Sequence, residues 1–211
     1  MTFPLTILVT GGIGSGKSAV CRHYAALGIP VYDSDSRAKS LYDTSLRLTA
    51  NVNAAFGGDL LSSDGRLDRA KLSGRVFASE GDLRKLEAIV HPEVLEDFRH
   101  WRETAGADIV VLESAIAASL PSFMAEVDRV LLVTAPERDC IARACLRDGV
   151  SEEKISQRIQ RQKEKQSCQC REPDCIIEND GTLGELYAKA DEALRRLCPT
   201  GTFYNKKHKD N

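Results

Sequence analysis

The sequence has no basic excess, no apolar run long enough to span a bilayer, and no cysteine spacing of a common structural zinc site. Each absence removes a class of function. The 211 residues carry 29 lysines and arginines against 31 aspartates and glutamates, a net charge of −2. A chain whose main partner is a nucleic-acid backbone carries surplus positive charge, so nucleic acid is not the expected partner. No stretch reaches the roughly 20 apolar residues of a transmembrane helix, so no membrane partner is expected. The apolar run Leu5–Val9 follows no basic segment and precedes no small-residue cleavage site. It reads as a strand rather than a targeting signal, and the expected location is cytoplasmic. The seven cysteines stand at 21, 140, 145, 168, 170, 175 and 198, and in that compartment they are reduced thiols. Cys168, Cys170 and Cys175 follow C-x-C-x4-C with no histidine nearby, so they read as small, partly buried residues rather than zinc ligands. A guanine-reading N-K-x-D is also missing. Asn205-Lys206-Lys207-His208 lacks the aspartate and lies in a polar tail, 201–211, expected to be mobile. The length suits one domain with excursions and falls short of most mechanical ATPases.

What is present begins with Gly11-Gly12-Ile13-Gly14-Ser15-Gly16-Lys17-Ser18, which fits G-x4-G-K-[ST] at every fixed position. An apolar strand precedes it and a helical pattern follows. Glycines let the backbone approach phosphates closely, and successive N–H groups at a helix N-terminus form an anion nest. Lys17 is placed to reach the β- and γ-phosphates of ATP, and the Ser18 hydroxyl to ligate Mg²⁺. Gly12, Ile13, Gly14, Ser15 and Gly16 supply the cradle. The loop alone does not separate a kinase from a switch or a motor.

Further apolar runs at Ile29–Tyr32, Asp108–Glu113, Arg129–Thr134 and Cys175–Ile177 alternate with helical patterns. Continuous apolar strands separated by helices predict an α/β fold: a parallel five-stranded sheet with helices on both faces. The long gap before strand three is periodic in the helical sense at Leu83, Leu86, Ile89 and Val90, then at Val94, Leu95 and Phe98. An all-helical substrate-binding insertion over 36–107 is expected. Residues 137–171 read as a helical hairpin lid bearing Arg138, Arg143, Arg147, Arg158, Arg161 and Arg171. Arg143 and Arg147, four apart, share a helix face and are candidates to close over ATP. Thr182-x-x-Glu185 is a capping box that opens the last helix. No signal sets the oligomeric state.

Asp33 and Asp35 follow strand two, and on an extended segment side chains two apart point the same way. Ligands of open α/β sheets sit beyond the carboxyl ends of the strands, so the pair is a candidate acceptor site, with Asp33 as base. The competing reading is a helix N-cap. Glu113, closing strand three, is a candidate to hold Mg²⁺ through water or a simple polar strand end.

Taken together, the residues resemble the dephospho-coenzyme A kinase family of P-loop kinases over nearly the whole chain. The similarity runs through TGGIGSGKS at 10–18, VYDSDSRAK at 31–39, LDRAKLSGRVF at 67–77, LEAIVHP at 86–92, Arg143, Arg147-Asp148, Arg158–Gln162 and DCIIENDG at 174–181. The resemblance implies phosphorylation of the ribose 3′-hydroxyl of dephospho-coenzyme A by ATP with Mg²⁺. It places Asp33 at the base position and His91 in the coenzyme-binding insertion. It also places Asn179 in a loop near the adenine. Three departures stand out. Ala115-Ile116-Ala117-Ala118-Ser119 replaces the family's P-L-L-F-E, Lys39 stands where arginine is common, and Pro173 replaces alanine. Lysine keeps the charge and loses the bidentate fork.

Overall fold

The β-branched apolar runs became strands, and their order in space differs from their order in the chain. The computed structural model describes residues 4–76, 79–166 and 171–198. Phe77, residues 167–170 of the expected hairpin with Cys168 and Cys170, and the 201–211 tail lie outside them. In sequence the elements are β1 (Leu5–Gly11), α1 (Lys17–Ala26), β2 (Val31–Asp33), α2 (Ser34–Thr44), α3 (Leu46–Ala55), α4 (Arg69–Val76) and α5 (Glu80–Thr104). Then come β3 (Ile109–Glu113), a 3₁₀ turn (Ala117–Ser119), α6 (Pro121–Met124) and β4 (Arg129–Thr134). The described chain closes with α7 (Glu137–Asp148), α8 (Glu152–Gln166), β5 (Cys175–Glu178) and α9 (Leu183–Leu197). Among the described residues the sheet has five strands in the order β2-β3-β1-β4-β5.

The chain divides into two compact units, one of 1–31 with 107–211 and the other of 32–106. In the first, β1 pairs in parallel with β3 and β4, and β4 with β5. Val9 lies opposite Glu113, Gly11 opposite Val133, and Thr134 opposite Glu178, so the carboxyl ends of these strands share one edge. Ile7, Val9, Val111, Leu131 and Val133 pack with Val20 and Tyr24 of α1 and Leu186, Ala190 and Leu194 of α9. Leu8 and Leu112 alternate with these along their strands and are also fully buried, so both faces are covered. That double burial is why the strands read as unbroken apolar runs. The Tyr24 hydroxyl donates to the Ala190 carbonyl (2.9 Å), fastening α1 to α9. The Thr182–Glu185 capping box forms as expected.

The second unit holds α2 to α5. One antiparallel bridge, Leu61 to Leu67, departs from the all-helical expectation. Both periodic stretches belong to one helix, α5, which runs through Pro92. Proline there removes a single hydrogen bond, and burial of Val90, Val94, Leu95 and Phe98 sustains the helix on either side. Tyr32 and Arg37 both bond Asp97 of α5: the phenol at 2.7 Å, the guanidinium twice, at 2.9 and 2.7 Å. Burial works against the Asp97 carboxylate, yet these donors outweigh it and hold its pKa below the ordinary value.

Candidate active site

β1 ends at Gly11 at the carboxyl edge, and the chain must turn at once into α1. Gly14 (φ 74) and Gly16 (φ 103) take left-handed conformations to do so. Space excludes a side chain as firmly as φ does. A Cβ on Gly14 would overlap the Cys140 carbonyl at the start of α7, and one on Gly16 would overlap the Asn179 carboxamide. Gly16 caps α1 without a side chain, and no acidic residue stands in the first turn. The positive end of that helix, opening at Lys17, is therefore left for an anion. Within the loop, Ser15 N–H donates to the Gly12 carbonyl (3.2 Å), and the buried Ser15 hydroxyl has no hydrogen-bond partner among the described residues.

Three residues distant in sequence hold this loop. Asn179 donates from Nδ2 to the Ser15 carbonyl (2.8 Å), while its own backbone N–H donates to Thr134 (2.7 Å). Arg143 of α7 reaches the Gly14 carbonyl (3.5 Å) and the Asn179 carbonyl (3.2 Å). Gln162 of α8 accepts the Ile13 N–H at Oε1 (2.8 Å). The Ile13 side chain packs on the apolar seam of the α7–α8 pair, formed by Cys140, Ala144, Ile155 and Ile159. A cavity of about 480 Å³ opens here, lined by Gly12, Ile13, Ser15, Thr134, Cys140 and Gln162 among others. Cys140 forms part of the cavity wall, and burial raises its thiol above its ordinary pKa.

Ser18, on the first turn of α1, donates to Glu113 Oε1 at 2.5 Å. Glu113 ends β3 beside β1 and is only 8% exposed. A hydroxyl and a buried carboxylate are hard oxygen donors of the kind Mg²⁺ accepts alongside phosphate and water. Among the described residues no three His, Cys, Asp or Glu side chains form a self-sufficient metal cage.

The structure therefore brings together Gly12, Ile13, Gly14, Ser15, Gly16, Lys17, Ser18, Arg143 and Asn179. Arg147 is not among them. It is exposed and pairs with its neighbour Asp148 (2.7 Å), which also meets Arg158 (3.4 Å). In the second unit Asp33 is the N-cap of α2. Its Oδ1 accepts the N–H groups of Asp35 (3.1 Å) and Ser36 (3.2 Å), and its Oδ2 the Ser36 hydroxyl (2.5 Å). The expectation that Asp33 and Asp35 share one side of an extended segment fails, because the chain becomes helical at Ser34 and puts Asp35 in the first turn. His91 is half-buried in mid-α5. In the divergent 115–119 segment, Ser114 Oγ accepts the N–H groups of Ile116 (3.4 Å) and Ala117 (3.2 Å), and Ala117 and Ala118 are buried. Gln162 is the contact that residue-by-residue reading missed. Its only signal was its place in the 158–162 similarity.

The dephospho-CoA kinase family model matches residues 5–185. A dephospho-CoA kinase of Porphyromonas gingivalis is 45% identical over 163 residues, 77% of this chain and 80% of that protein. One of Thermobifida fusca is 35% identical over 92% of this chain and 96% of its own length. A solved structure from Thermus thermophilus superposes with TM-score 0.76 at 30% identity, covering 92% of this chain and 97% of the other.

Proposed function

This chain belongs to the dephospho-CoA kinase family, and on that premise we propose that it transfers the γ-phosphoryl group of ATP to the ribose 3′-hydroxyl of dephospho-CoA, yielding CoA and ADP. The observation that carries the reading is the phosphate loop with its Ser18–Glu113 pair, set in a chain matched to the family over residues 5–185. In this reading Lys17 and the loop N–H groups bind the β- and γ-phosphates and offset charge on the transferred group. Ser18 and Glu113 are the residues that would hold Mg²⁺, which when bound would supply further neutralisation of the phosphates.

Asp33 accepts the proton of the acceptor hydroxyl. Its N-cap hydrogen bonds orient the carboxylate, and the Ser36 hydroxyl on Oδ2 shares or yields that oxygen as the acceptor arrives. Asp35 and His91 bind the acceptor, with the helices of 36–107 as its recognition segment and the 137–171 hairpin as a lid. Arg143 and Asn179 serve the nucleotide by holding the loop, and Arg147, exposed on the lid, closes over ATP. The setting is cytoplasmic; among the described residues no helix is long and apolar enough to cross a membrane.

ADP release measured with ATP and Mg²⁺, with and without dephospho-CoA, tests the reaction. Stimulation by dephospho-CoA is expected. Stimulation by nucleosides or nucleoside monophosphates alone would reassign the acceptor, and ATP binding without acceptor-dependent turnover would reduce the protein to a nucleotide-binding switch. Asp33→Asn is expected to keep ATP affinity and lose most of kcat; near-wild-type turnover would remove Asp33 from the base role.

A further inference from the structure

One contact at the loop has no part in the reading above. Ile13 and Gln162 both line the cavity at the loop, and the Ile13 N–H is held there by a neutral acceptor on another element, Gln162 Oε1 of α8 (2.8 Å). A backbone N–H pairs only with the oxygen end of a carboxamide, so the nitrogen end points away from it. α8 is not free to withdraw that group at will. Ile159 and Ile155, one and two turns earlier, are buried in the apolar seam that also receives the Ile13 side chain, and Lys163 pairs with Glu137 of α7 (2.5 Å). Gln162 is thus presented to the loop by a buried seam on one side and an exposed ion pair on the other.

A phosphate oxygen competes for the same N–H with the advantage of full negative charge, and charge-assisted hydrogen bonds are about twice as strong as neutral ones. The N–H groups at the start of α1 serve the inner phosphates, where the helix dipole adds to them. Ile13 lies on the opposite limb of the loop, and its N–H is left for the phosphate farthest from that helix, the terminal one.

We propose that Gln162 is a phosphoryl-contact residue: its carboxamide oxygen occupies the place on the Ile13 N–H that an oxygen of the terminal phosphate takes, and on that exchange its carboxamide nitrogen donates to the transferred phosphoryl group. The inference rests on the phosphoryl-transfer reading. It adds a neutral donor from the hairpin to the cationic residues that composition alone brings to mind. No bond is made or broken by Gln162; it supplies a hydrogen bond that strengthens as charge develops.

The test compares wild type, Gln162→Met and Gln162→Glu. Methionine keeps the volume and removes the carboxamide. Glutamate keeps the acceptor and adds a charge that repels phosphate. For Gln162→Met, kcat falls about 10- to 100-fold, as loss of a hydrogen bond to a charged group implies, while ADP affinity by calorimetry stays within about twofold and ATP affinity weakens. Gln162→Glu is worse than methionine in both kcat and ATP affinity. Retention of kcat within about twofold in Gln162→Met would overturn the proposal, since a lost contact of this class is larger. Equal weakening of ATP and ADP with a lowered Tm would also overturn it, because that pattern marks support of the fold alone. If wild type shows no acceptor-dependent turnover, the reaction reading fails separately, and the ATP-against-ADP difference still decides whether Gln162 touches the terminal phosphate.

Discussion

Replacing Asn179 tests whether the loop is held from outside or holds itself. Asn179 is 6% exposed, and its Nδ2 is the donor to the Ser15 carbonyl at 2.8 Å. Its backbone N–H bonds Thr134, so a side-chain change leaves the β5 edge anchored. Asn179→Ala removes the donor and leaves a buried carbonyl beside Gly16 without it. Such a loss costs about 1–3 kcal/mol. Taking about 2 kcal/mol, Tm falls by about 4–8 °C in a domain of this size. The Ser15 carbonyl and the Gly16 N–H belong to one peptide plane, so freeing the carbonyl lets that N–H turn from the phosphate. Loss of one charge-assisted bond weakens ATP about tenfold or more.

Asn179→Asp sharpens the test, because it is the same shape with an acceptor where the donor was. It sets oxygen against oxygen and adds negative charge behind an anion site. The expected order for both Tm and ATP affinity is Asn, then Ala, then Asp. Differential scanning calorimetry and titration calorimetry with ATP read the two quantities. An Asp variant with wild-type Tm and ATP affinity would refute the donor role, and with it the claim that this contact shapes the nest.

Further expectations are narrower. Gly14→Ala forces a left-handed residue, worth about 1–3 kcal/mol of strain, and drives a methyl into the Cys140 carbonyl; ATP binding measured by titration is lost while the sheet's circular dichroism remains. Glu113→Gln keeps the shape and a partner for Ser18 but removes the charge, so the Mg²⁺ concentration for half-maximal turnover rises about tenfold or more with little change in Mg²⁺-free nucleotide binding. The Asp97 carboxylate, with its pKa below the ordinary value, contributes stability above the unfolded-state pKa and loses it as pH falls through the depressed one. Asp97→Asn therefore lowers Tm at neutral pH and flattens its acid limb; an unchanged acid limb would assign that slope to other carboxylates.

Much of the site was legible because its rules are local. The loop is a run of eight residues whose spacing expresses how a backbone meets phosphate. The capping box at Thr182 spans one helical turn, and the strands announce themselves by burial on both faces. Where the sequence left residues undistinguished, the deciding interaction lay elsewhere. Arg143 and Arg147 looked equivalent on one helix face. Arg143 turns to the Gly14 and Asn179 carbonyls, whereas Arg147 stays with Asp148 at the surface. Asp33 and Asp35 looked paired until α2 began at Ser34 and gave Asp33 the cap. The two periodic stretches on either side of Pro92 proved to be one helix, because the apolar face of α5 outweighs one missing hydrogen bond.

The sequence by itself determined that a phosphate-binding turn joins a buried strand to a helix, since glycine φ freedom, helix polarity and apolar patterning act within a few residues. Only the tertiary structure decided what completes that turn. Glu113 lies 95 residues from Ser18, Gln162 lies 149 from Ile13 and Asn179 lies 164 from Ser15. Contacts so separated carry no period or spacing along the chain. They arise when the parallel register brings the carboxyl ends of β1, β3 and β4 to one edge and the α7–α8 pair packs its apolar seam onto Ile13.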